Sequence, residues 1–476
     1  MNPSVLFKDI RVLDCSPEAF AKARGMPVCD SREVEDGCVF TCIKGSGEDG
    51  HEHIREAVQK GAAVIVTERE VSFRGAEYVR VDDSRAAFAK MCSAACGRPG
   101  DSLHLIGVTG TNGKSSVVGI LSHILKCSGE NAADIGTITH GMTTPSPEKL
   151  YPELARFVRE GVRYAAMEAS SHALDQKRLA PLHFDVGAYT NLTPEHLDYH
   201  GSMEAYAAVK EKLFDQCSLG VFCADSKEAR ETARRTGRKK YLYGMEKGDI
   251  YARNVRYGWD GSEFELCFPT GSVNVELSLT GTFQVSNAVA AASCAYLLGA
   301  DMRDIATALK SVKPISGRLE RADDGTLGFR VYIDYAHTPD AIENAMLSLR
   351  TCMKENERLC VIFGCGGDRD KTKRPKIGSA VSRIADFAIV TSDNPRSEDP
   401  YEIIRQTVSK WDGDAGRLVI CDRRQAVKYA VDTAREGDVL LFCGKGHENY
   451  TEDASGKHEY NERQVVRDEL ARLMKE

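Results

Sequence analysis

The run Leu103-His-Leu-Ile-Gly-Val-Thr-Gly-Thr-Asn-Gly-Lys-Ser-Ser-Val-Val constrains the chain more than any other stretch. An apolar segment suited to a buried strand passes through a glycine turn into a helix predicted over residues 115–127. Such a turn aims backbone N–H groups at an anion, and the helix N-terminus adds positive potential. Lys114 can neutralise phosphate charge and the Ser115 hydroxyl can ligate Mg2+, so ATP is the expected ligand. The general spacing G-x-x-x-x-G-K-[ST] is not met. Val108 stands at the first glycine position, flanked by Gly107 and Gly110.

The chain has 476 residues, which suggests about three domains. Residues 1–100 hold apolar runs at 39–43, 62–67 and 77–81, separated by helical stretches at 51–60 and 85–96, the pattern of a small α/β domain. The breaker cluster Cys96-Gly-Arg-Pro-Gly-Asp-Ser then opens a block over 101–316, where strand-like runs are expected to alternate with helical ones until Lys313-Pro-Ile-Ser-Gly-Arg. A third block, 317–476, has strand candidates at 329–333, 359–363, 387–391 and 439–442. Each is followed by a polar motif: Asp334-Tyr-Ala-His-Thr-Pro, Gly364-Cys-Gly-Gly-Asp-Arg, Ser392-Asp-Asn-Pro-Arg and Gly444-Lys-Gly-His-Glu. Open parallel sheets place their ligand crevice past the carboxyl ends of strands, so one shared cleft is expected.

Charge excludes some functions. Lys plus Arg number 63 against 70 Asp plus Glu, a net −7 that provides no global field for a nucleic acid. No run approaches the roughly 18 consecutive apolar residues that span a bilayer, and Asp9 and Asp14 interrupt the region where a secretory signal would be apolar. A cytoplasmic protein is expected. The 16 cysteines are scattered without a C-x-x-C pair and read as small buried apolar residues. Glu168 and His196 follow strand-like runs, although either type alone is more often a hydrogen-bonded structural residue. Lys210, in Tyr206-Ala-Ala-Val-Lys-Glu-Lys, reads as a solvated helix lysine, and Asn287 as an N-cap for a helix beginning at Ala288.

The string Gly110-Thr-Asn-Gly-Lys-Ser resembles the ATP loop of the Mur ligase superfamily, amide-forming enzymes of peptidoglycan synthesis. Asp30-Ser-Arg, Asp49-Gly-His, Met167-Glu-Ala-Ser-Ser-His, Thr190-Asn-Leu-Thr-Pro-Glu-His-Leu-Asp-Tyr-His-Gly and the four C-terminal motifs extend the resemblance over nearly the whole chain. It implies an α/β fold of three domains: an N-terminal UDP-binding domain, a central P-loop ATPase-like domain and a Rossmann-like C-terminal domain that binds the amino acid. It also implies small-molecule substrates, with neither nucleic acid nor membrane as partner, and a monomer.

On this resemblance ATP is met by Gly110, Thr111, Asn112, Gly113, Lys114, Ser115 and Ser116, with Asn287, Arg318, Asp334 and His337 near its base, ribose or phosphates; a surface ion pair is the alternative for Arg318. Lys114, Glu168, His196 and Lys210 match catalytic positions. Ser115, Glu168, His196 and Lys210, the last as a CO2-derived carbamate, match Mg2+ ligands. Ser31, Thr143, Thr144, Ser170, Gln176 and Arg178 match contacts to a UDP-muramoyl dipeptide, and the segment between Ile135 and Thr143 is shorter than is usual in the family. Arg369, Asp393, Asn394, Pro395, Arg396, Gly444 and Glu448 match the amino-acid site. A guanidinium at Arg396 suits the extra carboxylate that distinguishes meso-diaminopimelate from lysine. The same ligase acting on L-lysine, a folylpolyglutamate-forming ligase and a non-catalytic nucleotide-binding regulator are the alternatives.

Overall fold

The computed structural model describes residues 3–45 and 47–475. The chain divides into two compact units, one of residues 1–110, 121–190 and 202–241, the other of 111–120, 191–201 and 242–476.

The first unit contains a four-stranded sheet ordered Val12–Cys15, Glu77–Val81, Val64–Thr67, Val39–Thr41, antiparallel in its first pair and parallel in the rest. Side chains alternate across it as a strand requires. Val64 and Val66 pack with Val79, Val81 and the helical residues Ala87 and Met91, while Ile65 packs with Phe40 and Ala57 on the other face. The helix Ser84–Ala95 starts where Asp83 accepts a hydrogen bond from the Ala86 N–H. The same unit holds five parallel strands ordered Ala132–Ile135, Tyr164–Glu168, His104–Thr109, Phe184–Tyr189, Cys217–Cys223. Tyr164–Glu168 is buried throughout, which is why its sequence is a continuous small or apolar run rather than an alternating one.

The second unit corrects the expected strand–helix alternation of the middle block. Residues 250–277 are three successive antiparallel strands, Ile250–Gly258, Gly261–Phe268 and Gly271–Leu277, with no helix between them. Two-residue connections, Trp259-Asp260 and Pro269-Thr270, close both hairpins. Beyond them lies a six-stranded sheet ordered Glu320–Arg321, Arg330–Asp334, Asp438–Cys443, Arg358–Phe363, Phe387–Val390, Gly416–Val419, parallel except for its first pair. Leu359, Val361 and Phe363 face the helices Pro339–Arg350 and Lys373–Ile384; Cys360 and Ile362 face Arg423–Asp432 and Glu462–Leu473. The register pairs Asp334 with Cys443, Ile362 with Phe442 and Phe363 with Val390, so the four strands that carry polar motifs end along one edge.

Cysteines behave as small buried residues: all 16 are free thiols and most are buried, burial pushing Cys42, for example, up to about 12. Among the described residues, no helix is long and apolar enough to cross a membrane.

Candidate functional site

In the second unit, the turn Thr111-Asn-Gly enters the helix Lys114–Cys127 and is stitched to residues 191–193. The Thr111 N–H donates to the Asn191 carbonyl at 2.9 Å, the Asn112 N–H to Asn191 Oδ1 at 2.9 Å, and the Thr193 N–H to Thr111 Oγ1 at 3.0 Å. Gly113 has φ +88°, a left-handed conformation that the tight entry into the helix requires. Lys114 Nζ donates to the Thr111 carbonyl at 2.8 Å, which folds its side chain back over the turn beside Ser115 and the buried Ser116.

Within the first unit, strand Tyr164–Glu168 delivers Glu168 as a buried carboxylate whose Oε1 accepts from the Thr137 N–H at 2.8 Å. Around it gather five residues expected to meet the nucleotide-linked substrate. Thr137 Oγ1 donates to Thr143 Oγ1, Thr144 Oγ1 to the Glu168 carbonyl at 2.7 Å, and the Ser170 N–H to Thr144 Oγ1 at 3.0 Å. Arg178 donates to the Thr144 carbonyl at 2.7 Å and to Gln176 Oε1 at 2.8 Å. Ser31 is buried and donates to Glu56 Oε2 at 2.9 Å. Lys210 overturns its reading as a solvated helix lysine. It is 1% exposed, with Nζ donating to the Gly110 carbonyl at 2.8 Å and lying 4.5 Å from the centroid of the Tyr206 ring.

The positions expected near the nucleotide base and ribose fall in the second unit. Asn287 does not cap a helix: the helix runs Thr282–Leu297, Gly281 with φ +109° is its N-cap, and Asn287 is buried inside it. Asp334 accepts from the Leu319 N–H at 2.6 Å and the Ala336 N–H at 2.7 Å, and burial raises its carboxyl. Arg318 lies 5.0 Å from the centroid of the Tyr335 ring, a cation–π contact instead of the surface ion pair weighed for it. His337 and His447 also pack on Tyr335, with ring centroids at 4.8 and 4.7 Å. Burial, aided by the charges of Arg318 and His337, pushes His447 down to about 4. Glu195, which the sequence reading left unassigned, bridges two histidines, 3.7 Å from His337 Nε2 and 3.9 Å from His196 Nε2. Burial raises its carboxyl, but contact with His337 and the charges of His196 and Lys114 outweigh this and lower it overall.

The four strand-end motifs of the second unit meet. The Gly444 N–H donates to the Asp334 carbonyl at 3.1 Å, and the Gly367 N–H to the Asn394 carbonyl at 2.8 Å. Asn394 Nδ2 donates to Glu448 Oε2 at 3.0 Å. Arg396 sits at φ +50° beside Pro395; its Nη1 donates to the Gly367 carbonyl at 2.7 Å and its Nε to Glu452 Oε2 at 3.2 Å, which orients the guanidinium plane. Arg369 is exposed on the loop after Phe363. Gly444 has φ +108°, and a Cβ there would lie 2.4 Å from Asp393 Oδ2, so glycine is required where the carboxylate approaches the backbone. Three buried cations escaped the sequence reading. Lys445 lies inside this cluster, Arg374 is held by Glu398 at 2.8 Å while donating to the Gly366 carbonyl, and Arg423 is held by Glu462 at 2.7 Å while donating to the Ser392 and Cys443 carbonyls. The signal for Lys445 was present, a lysine between two glycines at a strand end, but nothing in the string shows that it turns inward.

Among the described residues, no three His, Cys, Asp or Glu side chains form a preassembled metal cage. The Ser115 hydroxyl and the Glu168 carboxylate are each oxygen donors of the kind Mg2+ accepts beside waters and phosphate oxygens, whereas the His196 imidazole is the less typical partner for this hard cation.

Family comparison covers the chain in three successive stretches: "Mur ligase family, catalytic domain" over residues 28–94, "Mur ligase middle domain" over 108–295, and "Mur ligase, glutamate ligase domain" over 317–446. The chain is 43% identical over 458 residues to the UDP-N-acetylmuramoyl-L-alanyl-D-glutamate--2,6-diaminopimelate ligase of Geobacillus kaustophilus, which covers 92% of this chain and 93% of that relative. A solved structure of a ligase with the same name superposes with TM-score 0.68 at 30% identity, covering 94% of this chain and 95% of that one. The MurF ligase of Thermotoga maritima in complex with ADP shares the fold, with TM-score 0.62 at 20% identity over 95% of this chain and 97% of that one.

Proposed function

The chain belongs to the Mur ligase family, and from that membership we propose that it is the ATP-dependent ligase joining meso-2,6-diaminopimelate to the D-glutamyl residue of UDP-N-acetylmuramoyl-L-alanyl-D-glutamate. The observation that carries the amino-acid assignment is the meeting of Asp393, Asn394, Arg396 and Glu448 past the ends of Phe387–Val390 and Asp438–Cys443, the two parallel strands that flank Arg358–Phe363. Arg396 and Arg369 suit the carboxylate on the distal carbon of diaminopimelate, and Asp393 and Glu448 its ammonium. The named relatives act on diaminopimelate, so the lysine reading is not carried further.

A carboxylate is a poor acyl donor and must be activated. The γ-phosphoryl group of ATP passes to the D-glutamyl side-chain carboxylate, giving ADP and an acyl phosphate, with Lys114 and the backbone N–H groups at the start of the helix Lys114–Cys127 offsetting the developing charge. The diaminopimelate amine then attacks the acyl carbon; the C–N bond forms and phosphate leaves. In this reading Asn287, Arg318, Asp334 and His337 hold the nucleotide, and Ser31, Thr143, Thr144, Ser170, Gln176 and Arg178 hold the UDP-muramoyl dipeptide. Ser115, Glu168, His196 and Lys210 as a carbamate would hold Mg2+, which supplies charge neutralisation on the phosphates when bound. Lys210 is buried and already turned to the Gly110 carbonyl, so a carbamate there would exchange a buried donor for an anionic ligand next to the phosphate turn. The reaction is assigned to a cytoplasmic monomer.

The test is phosphate release from ATP with Mg2+ and the UDP-muramoyl dipeptide, run in parallel with meso-diaminopimelate and without amino acid. Release that depends on diaminopimelate, with the nucleotide product gaining the mass of one diaminopimelate less water, supports the reading. Release without any amino acid, or none in either arm, contradicts it.

A further inference from the structure

We propose that Lys445 is a positioning residue for amino-acid specificity: it fixes the rotamer of the Asn394 amide so that Nδ2, a donor, faces Glu448 and the amino-acid crevice. The inference rests on the ligase reading above and adds a residue that this reading leaves without a role.

The geometry determines which end of the amide is which. Asn394 Oδ1 accepts from two donors, Lys445 Nζ at 2.6 Å and the Glu452 N–H at 2.9 Å. Rotating the amide by half a turn would set its NH2 group against an ammonium and an N–H, neither of which can accept a hydrogen bond. Nδ2 is therefore committed to the opposite side, where it donates to Glu448 Oε2 at 3.0 Å. Lys445 is itself held in place. Its side chain is fully buried, a second N–H donates to the Tyr450 carbonyl at 3.0 Å, and the carboxylates of Asp393 and Glu448 lie 3.6 and 3.5 Å away.

A buried ammonium is costly unless it is paired and hydrogen-bonded. Here the partners are the same Asp393, Asn394 and Glu448 that are assigned to the substrate. Arg423, the neighbouring buried cation, is held mainly by Glu462 at 2.7 Å and approaches Asp393 only to 4.0 Å. Lys445 instead sets the direction of a donor and moderates the negative charge of two carboxylates at the point where an amino acid's ammonium must bind. Burial lowers its ammonium, with the nearby carboxylates opposing, as expected of a group kept charged by its neighbours.

Two variants test this. Lys445→Met removes the ammonium at similar length; Asn394→Asp keeps the acceptor that Lys445 and the Glu452 N–H use and removes the Nδ2 donor. Losing a charge-assisted, orienting contact predicts that Lys445→Met raises KM for meso-diaminopimelate by about tenfold or more, while KM for ATP and for the UDP-muramoyl dipeptide each change by less than about twofold. Asn394→Asp should raise KM for diaminopimelate similarly and melt below wild type, because it sets a carboxylate oxygen against Glu448 Oε2 where Nδ2 donated. Combining Lys445→Met with Asn394→Ala should add less than about twofold to the effect of Asn394→Ala alone, the non-additivity expected of residues acting as one unit. Equal rises in KM for all three substrates, additive effects in the double variant, or a wild-type KM for diaminopimelate in Asn394→Asp would each overturn the proposal. If Lys445→Met does not fold, Lys445→Gln, which removes the charge but leaves a polar amide among the carboxylates, takes its place in the same comparison of the three KM values. If the wild-type enzyme turns over a different amino acid, the diaminopimelate reading fails while the Lys445 proposal is tested in the same way on that amino acid's KM.

Discussion

The phenol of Tyr335 donates to Glu448 Oε1 at 3.3 Å while its ring packs against Arg318, His337 and His447. One side chain thus touches groups assigned to the nucleotide and a carboxylate assigned to the amino acid. Tyr335→Phe keeps the ring and removes only the donor. A hydrogen bond of about 1 kcal/mol predicts a rise of about fivefold in KM for meso-diaminopimelate with KM for ATP nearly unchanged, read from initial rates with each substrate varied in turn.

Gly444→Ala should harm both stability and affinity. The added Cβ meets Asp393 Oδ2 at 2.4 Å, and φ +108° is strained for alanine. A lowered melting temperature equivalent to about 1–3 kcal/mol is expected, together with weaker diaminopimelate binding as Asp393 is displaced. Calorimetry and a diaminopimelate titration check the two parts separately.

His447 gives the protein a defined acid sensitivity. Its folded value is about 4 against an ordinary 6.5, so between those values the unfolded chain takes up a proton that the folded state resists. Its contribution is intact above pH 6.5 and is lost as the pH falls toward 4. His447→Asn should therefore melt with a shallower pH dependence than wild type across this window, and the two curves should run parallel above it. Parallel curves throughout would show that His447 is not the group responsible.

Lys210→Ala should lose at least about a hundredfold in kcat, as expected for removal of a group that acts on the transferring phosphoryl. Short carboxylic acids or bicarbonate should restore part of that activity if an anionic group is what the site has lost. Full activity in the variant would remove Lys210 from the machinery.

Much of this organisation was legible in the string, for identifiable reasons. Strand 104–109, the glycine turn and the helix after it are local features, and the four C-terminal strands read as continuous apolar runs because helices cover both faces of their sheet. Long-range facts were not legible. In residues 250–277 the Asp260-Gly261 pair is a hairpin signal, but it falls one residue past the two-residue connection 259–260, and the second connection, Pro269-Thr270, carries no such signature. Asn287 was placed at a helix start because asparagine favours that position, but Gly281 opens the helix earlier. Lys210 and Lys445 have the composition of surface lysines, and only the fold shows that both are turned into buried hydrogen-bond networks.

Arg396 carries the most specific claim at the level of one side chain. Arg396→Ala should reduce kcat/KM for meso-diaminopimelate by on the order of a hundredfold, the cost of an unpaired substrate carboxylate, while ATP affinity changes little. Equal losses on both substrates would contradict its assignment to the amino acid.

The central claim, a site built for an amino acid with a second carboxylate, is tested most directly by the ratio of kcat/KM for meso-diaminopimelate to that for L-lysine in the wild-type enzyme. A site whose polar groups are left unpaired by the smaller substrate should reject it by a factor on the order of a thousand or more. A ratio near one, or a preference for lysine, would contradict the account of Arg396, Asn394 and Glu448.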